Sequence, residues 1–363
     1  MKQWRFYALG DMRLDEVPYP ELRPEWVIVK TRVVQPSVSE AQRAIGLPIS
    51  GTATVKKLLA ERAPVPLFGH EFSAEVVEIG QGVKRVKVGD RVAGRSRIPC
   101  YNCALCFSGQ KELCRKGPNI GRQIPGLFAE YAALPAEVLT VLPDSVSDNE
   151  GACIQSLSGS VSNVGIAKIQ MADSVAVIGQ GVMGLYCLQL ARVCGAGKLI
   201  GIDVREESLA LSKKLGADYV VDARKEDPVK AVIELTDGFG ADVVFEAAGG
   251  SPTQGLSGLS TIPQAMAMVR DQGKVVQVAW IGAKYEFNVD EWRERGISYL
   301  SAENCNNRLL DWLVHLVATK RIQVAPLISH VLEGIEKVPE AFEITSNKGR
   351  YKATNPAQVV VSK

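Results

Sequence analysis

The chain lacks an excess of charge of either sign: 42 Lys and Arg face 40 Asp and Glu over 363 residues, a formal net charge of +2. A nucleic-acid partner or an acidic membrane surface would usually require a basic stripe, so neither is expected. No apolar run reaches the length of a membrane span, which argues against a transmembrane segment. The opening Met1-Lys2-Gln3-Trp4-Arg5-Phe6-Tyr7 has the alternation of an edge strand rather than the apolar block of a leader, so a cytoplasmic protein is expected. No internal repeat or low-complexity tract is present. The eight cysteines are not spread as a secreted disulfide framework would be: four crowd between Cys100 and Cys114, and Cys153, Cys187, Cys194 and Cys305 lie scattered in apolar surroundings. The scattered four read as small buried hydrophobes.

What is present is ordinary globular material, 46% hydrophobic and 23% charged, long enough for two domains. The first 150 residues or so are β-rich. Glu25–Val34 has strand composition with near-alternation in its first half, and Ser73–Ile79 and Phe128–Leu134 are further short strands between turn signals. From Ser174 the pattern changes to short apolar runs alternating with helical stretches: Val175–Ile178, Leu199–Ile202, Tyr219–Val221, Val243–Phe245 and Val275–Val278. Continuous apolar strands with helices between them predict a parallel sheet covered on both faces. The alternation fades after about Tyr299; helices near Arg308–Thr319 and Pro339–Ser346 and a strand at Val359–Val361 resemble the first domain and are expected to complete it. The predicted division is 1–153, 154–298 and 299–363, the last returning to the first.

Two motifs carry chemistry. Gly179-Gln180-Gly181-Val182-Met183-Gly184 follows an apolar run and opens a Pro-free stretch, with Asp203 24 residues after Gly179 at the end of the next run. In that context the glycines allow a tight turn and close approach of backbone to a pyrophosphate at a helix N-terminus, and the carboxylate suits ribose hydroxyls while repelling a 2′-phosphate. Val182 and Met183 share this turn; Arg205 either starts a solvated helix with Glu206 and Glu207 or approaches the adenosine ribose. Cys100, Cys103, Cys106 and Cys114 offer four thiolates in one short polar loop, suited to a closed, structural zinc site. An iron–sulfur cluster is the chemical alternative.

These motifs resemble those of the zinc-containing medium-chain dehydrogenases of the alcohol/polyol dehydrogenase superfamily. The likeness runs over essentially the whole chain and rests on Gly69-His70-Glu71-Phe72, Val88-Gly89-Asp90-Arg91-Val92, the four-cysteine lobe, Phe128-Ala129-Glu130-Tyr131, the glycine motif, and Gly240–Val244 before Glu246-Ala247-Ala248-Gly249. The resemblance implies an α/β architecture: a GroES-like β-rich catalytic domain at both chain ends, an inserted Rossmann domain with a doubly wound parallel sheet, and an active site in the cleft between them. It also implies a homo-oligomer, dimer or tetramer.

The departures bear on mechanism. Relatives with a catalytic zinc usually carry a Cys where this chain has Ser37, and the polyol branch often carries a Glu where Gln155 stands. Only His70 and Glu71 keep the family's metal-binding residues. A Cys/His/Glu shell brings two negative charges to zinc and a second Glu a third; Ser37, His70, Glu71 and Gln155 bring one, and zinc affinity should fall steeply. Ser39 matches the family hydroxyl that relays a proton from substrate toward the cofactor ribose; its plainer role is a turn hydroxyl. The expected function is an NAD-linked oxidoreductase interconverting a secondary alcohol, polyol- or cyclitol-like, and its ketone. Either a weak zinc at His70 and Glu71 or hydrogen bonding from His70, Ser37 or Ser39 would polarise the substrate oxygen. The alternatives are a zinc-free reductase of an activated C=C bond and a nucleotide-binding protein with little catalysis.

Overall fold

The computed structural model describes residues 1–249, 258–281, 283–302 and 305–362. It divides into two compact units, Met1–Ser158 with Asn304–Lys363, and Gly159–Glu303.

In the first unit the strand Trp26–Gln35 is the spine. It pairs antiparallel with Glu71–Ile79, with Tyr131–Pro135 and with the tail strand Gln358–Val360. With neighbours on both sides it is buried at Val27, Ile28 and Val29 in succession, so its alternation in sequence does not become alternating exposure. The seven-stranded sheet runs Val331–Glu333, Gln358–Val360, Trp26–Gln35, Glu71–Ile79, Arg91–Gly94, Leu139–Val141, with Tyr131–Pro135 attached to the spine. The tail also enters the core: Phe342, from the helix Val338–Ser346, packs its ring 6.0 Å from Phe6 and 5.2 Å from Phe128. Such ring pairs add roughly 0.5–1.5 kcal/mol each beyond burial.

The strand expected at Phe128–Leu134 is shifted to Tyr131–Pro135. Phe128 instead gives its carbonyl to the Trp4 amide at 2.8 Å, and Ala129 bridges Gln3, which ties this segment to the N-terminal strand Lys2–Ala8. Cys194 corrects another expectation. It follows the helix Val182–Val193 as its C-terminal cap and is exposed, while Cys153, Cys187 and Cys305 are buried.

The second unit holds six parallel strands in the order Tyr219–Asp222, Lys198–Asp203, Ser174–Ile178, Ala241–Glu246, Val269–Gln277, Ser298–Leu300. Buried Val, Ile and Leu fill the inner strands, as expected of a sheet covered on both faces, whereas Tyr219 and Val220 on the edge strand Tyr219–Asp222 are exposed. The chain order reverses beside Ser174–Ile178, and the glycine turn leaves that strand's C-terminal end, where doubly wound sheets open a ligand crevice. Among the described residues no helix is long and apolar enough to cross a membrane.

Candidate active site and metal lobe

The four-cysteine lobe is built from turns. Cys103 caps the short helix Ala104–Phe107, and Cys114 follows the 3-10 turn Lys111–Leu113. All four Sγ atoms lie within 4.8 Å of one another. Cys103 to Cys106 is 3.6 Å, and Cys100 to Cys106 and Cys103 to Cys114 are each 3.9 Å. Tetrahedral zinc with Zn–S bonds near 2.3 Å requires sulfurs about 3.8 Å apart, so the donors fit. Backbone amides also favour thiolates here: the Cys100 N–H donates to Cys114 Sγ at 3.3 Å and the Asn102 N–H to Cys100 Sγ at 3.4 Å. Desolvation works against ionisation of Cys114, yet the Cys100 and Lys116 amides help bring it down to about 6.

The His70 site is organised by a helix start. Ser37 caps the helix Val38–Ala44: its Oγ accepts from the Glu40 N–H at 3.2 Å, and Glu40 Oε2 accepts from the Ser37 N–H at 3.1 Å. This reciprocal box places Glu40, 2% exposed, so that its other oxygen meets His70 Nδ1. Burial opposes charge on both partners, and their mutual attraction overrides it: Glu40 is held below the usual carboxylate range and His70 above the usual imidazole range. With Nδ1 engaged, Nε2 is the ring nitrogen left to chemistry. Ser39 shares a hydrogen bond with Ser37 Oγ at 3.2 Å and accepts one from Arg43 Nη1 at 3.0 Å. Ser37, Ser39 and His70 are thus drawn together, through a Glu40 that sequence reasoning passed over.

Glu71 and Gln155 have other partners. Glu71, 4% exposed, accepts from Gln35 Nε2. Gln35 Oε1 in turn accepts from Asn355 Nδ2 at 3.1 Å and Gln358 Nε2 at 2.9 Å. Burial pushes the Glu71 carboxyl up to about 7 against the pull of His70 and the Gln35 amide. Gln155 Nε2 reaches Ser96 Oγ at 3.5 Å, the limit of a hydrogen bond. Among the described residues the four cysteines form the one group of three or more His, Cys, Asp or Glu gathered closely enough for a metal.

In the second unit, Gly179 takes a left-handed φ of +88°, and a Cβ there would lie 2.5 Å from the Ala248 backbone, so only glycine makes this turn. Gly181 is the residue before the helix Val182–Val193, whose first turn, with Val182, Met183 and Gly184, has no side-chain cap. A Cβ on Gly181 would meet nothing within 4 Å. Open space over uncapped amides is what a pyrophosphate needs, so the turn fits a dinucleotide. Asp203 has partners within the protein. Its carboxylate accepts from the Gln180 N–H at 2.6 Å, the Val204 N–H at 2.7 Å and the Arg205 N–H at 2.8 Å. It therefore braces the glycine turn, with about one acceptor position left for a hydroxyl. Arg205 Nε lies 3.6 Å from it.

A fold with a β-rich unit closed by the chain's tail and a dinucleotide-type parallel sheet, carrying a four-thiolate lobe and a histidine site, defines a zinc-type medium-chain dehydrogenase. Comparison with known proteins agrees. Residues 23–144 match the alcohol dehydrogenase GroES-like domain and 182–314 the zinc-binding dehydrogenase model. D-arabitol-phosphate dehydrogenase of Enterococcus avium is 35% identical over 77% of this chain and 80% of its own length. L-threonine 3-dehydrogenase of Bacillus subtilis is 30% identical over 91% of each. A zinc-binding dehydrogenase from Sinorhizobium meliloti 1021, solved bound to NADP, superposes with a TM-score of 0.84 at 27% identity, covering 100% of this chain and 99% of that one. The chain belongs to the zinc-type alcohol/polyol dehydrogenase family.

Proposed function

We propose that the protein is an NAD(H)-dependent oxidoreductase that interconverts a secondary alcohol and its ketone, with one structural zinc and a catalytic station that no longer holds metal firmly. The observation that carries this reading is the Ser37–Glu40–His70 arrangement. The position of the family's thiolate ligand is taken by a hydroxyl engaged in capping a helix. Glu71 is tied to Gln35, and Gln155 is a neutral donor turned to Ser96. One imidazole, one carboxylate and neutral oxygens make a donor set that does not fit tightly bound zinc. Four thiolates fit it well, and there the metal would cross-link the loop.

When bound, the nicotinamide accepts or returns a hydride. The chain's own residues do the rest. Glu40 fixes the His70 ring so that Nε2 can hydrogen-bond the substrate oxygen and follow its change in charge. Ser39 accepts from Arg43 and shares a hydrogen bond with Ser37, which fixes the orientation of its hydroxyl. The amides of the Val182 turn would receive the pyrophosphate and Asp203 a ribose hydroxyl.

Preference for NAD over NADP is supported by the Asp203 carboxylate, where a 2′-phosphate would meet a like charge. The Sinorhizobium relative was solved with NADP, and Arg205 beside Asp203 is the residue here that would soften the repulsion. Steady-state kcat/KM with each cofactor, over a panel of secondary alcohols at alkaline pH, tests both parts. The reading requires NAD-linked turnover at least tenfold better than with NADP, and a smaller gap in Asp203→Asn. No alcohol oxidised with either cofactor would contradict it.

A further inference from the structure

The His70 site also carries two guanidinium groups, and nothing in the proposed hydride chemistry requires both. Arg43 lies one turn beyond Ser39 on the helix Val38–Ala44 and is 5% exposed. Its Nε donates to the Ser50 carbonyl at 2.8 Å and its Nη1 to Ser39 Oγ at 3.0 Å, which fixes its position. Arg122 comes from the turn after Ile120-Gly121 and is half-buried. Among the described residues its side chain makes no hydrogen bond or ion pair. Its charge nevertheless acts on His70, working against protonation of the ring.

Gly51 brings the two arginines together. Its φ is +86°, and the point where a Cβ would stand is 3.1 Å from Arg43 Nε and 3.2 Å from Arg122 Nη2. Both guanidinium groups therefore crowd against Gly51, and any side chain at position 51 would have to displace them. The nearby carboxylates are engaged elsewhere, Glu40 with His70 and the Ser37 amide, Glu71 with Gln35. Arg122 brings a second positive charge to this place with no partner of its own, so an anion would be favoured beside it. A guanidinium with unused donors presents a planar fork matched to phosphate or carboxylate oxygens.

We infer that the alcohol taken by this site carries an anionic group, a phosphate or a carboxylate, received by the Arg122 fork with Arg43 beside it. The inference rests on the dehydrogenase reading and adds a substrate class to it. Arg122 then selects among substrates and holds one end of the molecule while the carbinol oxygen lies at His70.

The test has two arms on the full-length, zinc-loaded protein. In the first, inorganic phosphate is titrated calorimetrically into wild type, Arg122→Gln and Arg122→Lys. Wild type should bind, Arg122→Gln should lose at least tenfold in affinity with an unchanged Tm, and Arg122→Lys should recover part of it. Phosphate captured at the glycine turn would be indifferent to Arg122, so equal binding by all three overturns the inference. In the second, free polyols, their monophosphates and the corresponding aldonates are compared as substrates. An anionic series should exceed the neutral one at least tenfold in kcat/KM, and Arg122→Gln should remove that advantage chiefly through KM; whichever of phosphate or carboxylate wins names the group. Neutral alcohols turned over as well as anionic ones, and equally by Arg122→Gln, would refute the substrate class and leave the dehydrogenase reading intact. Arg122-dependent phosphate binding with no alcohol oxidised would sustain the anion site and overturn the dehydrogenase reading.

Discussion

Two stations in the same unit, the four-cysteine lobe and the His70 site, differ in what holds their side chains in place. The lobe at Cys100–Cys114 keeps four sulfurs at the spacing of a tetrahedral ion, supplied by fifteen residues of irregular chain. The station at His70 keeps the imidazole, but around it the groups have found partners in the protein: Ser37 a helix start, Glu40 the His70 ring, Glu71 a glutamine. The lobe has little apolar core of its own, since Cys106 and Cys114 are among its few buried residues. Without a cation its thiols have only one another and a few amides. The His70 station lies where the spine ends and pairs Gln35 with Glu71, and hydrogen bonds tie its side chains to one another. On the proposed reading, a metal would matter most in the lobe, where few other contacts order the chain, and least at His70, where hydrogen bonds already hold the side chains.

The largest effect should follow from breaking the lobe. Cys106→Ser is expected to release its zinc and to cost on the order of 3 kcal/mol or more, because the loop loses its cross-link. Thermal unfolding together with metal analysis checks this; a zinc-free variant with the wild-type Tm would remove the distinction between the two stations.

Next comes Glu40→Ala. It deletes the glutamate half of the capping box and leaves a buried imidazole without its carboxylate, so a loss of about 2–3 kcal/mol is expected. Turnover should fall at least tenfold as the ring loses its orientation. Glu40→Asp, whose shorter side chain keeps the charge, should recover more stability than activity. Chemical denaturation and kcat, measured side by side, decide whether Glu40 positions His70 or merely packs beneath it.

Ser37→Ala should cost about 1 kcal/mol, the usual value of an N-cap hydroxyl, with zinc content unchanged. A drop in bound zinc would mean that Ser37 is a ligand after all. The smallest effect belongs to Gln155→Ala. Its one hydrogen bond is 3.5 Å long and leads to a hydroxyl, so the change in stability should stay within about 0.5 kcal/mol.

How far these stations could be read from sequence follows from the range of their contacts. The parallel sheet was legible because each strand is a local apolar run and the glycine motif is contiguous. The cysteine lobe was legible because its ligands are close in sequence. Ser37, Ser39, His70 and Glu71 were found through resemblance to the family. Glu40 is within reach of the sequence, since Ser37-Val38-Ser39-Glu40 has the pattern of a capping box. Gln35 was not, because its role depends on Gln358, 323 residues away, and no local pattern encodes that pairing. Arg122 was silent for the same reason: only folding sets it against Gly51 and Arg43. Cys194 keeps apolar company in sequence, which suggests a core residue, whereas the end of its helix turns it to solvent.

The most direct test of the contrast is zinc per chain in purified wild-type protein, before and after mild chelation, with circular dichroism as the control for folding. The account predicts close to one zinc before and one after, lost in the Cys106→Ser variant, and a rise toward two in Ser37→Cys/Gln155→Glu. Two zincs per wild-type chain, both surviving the chelator, would contradict it.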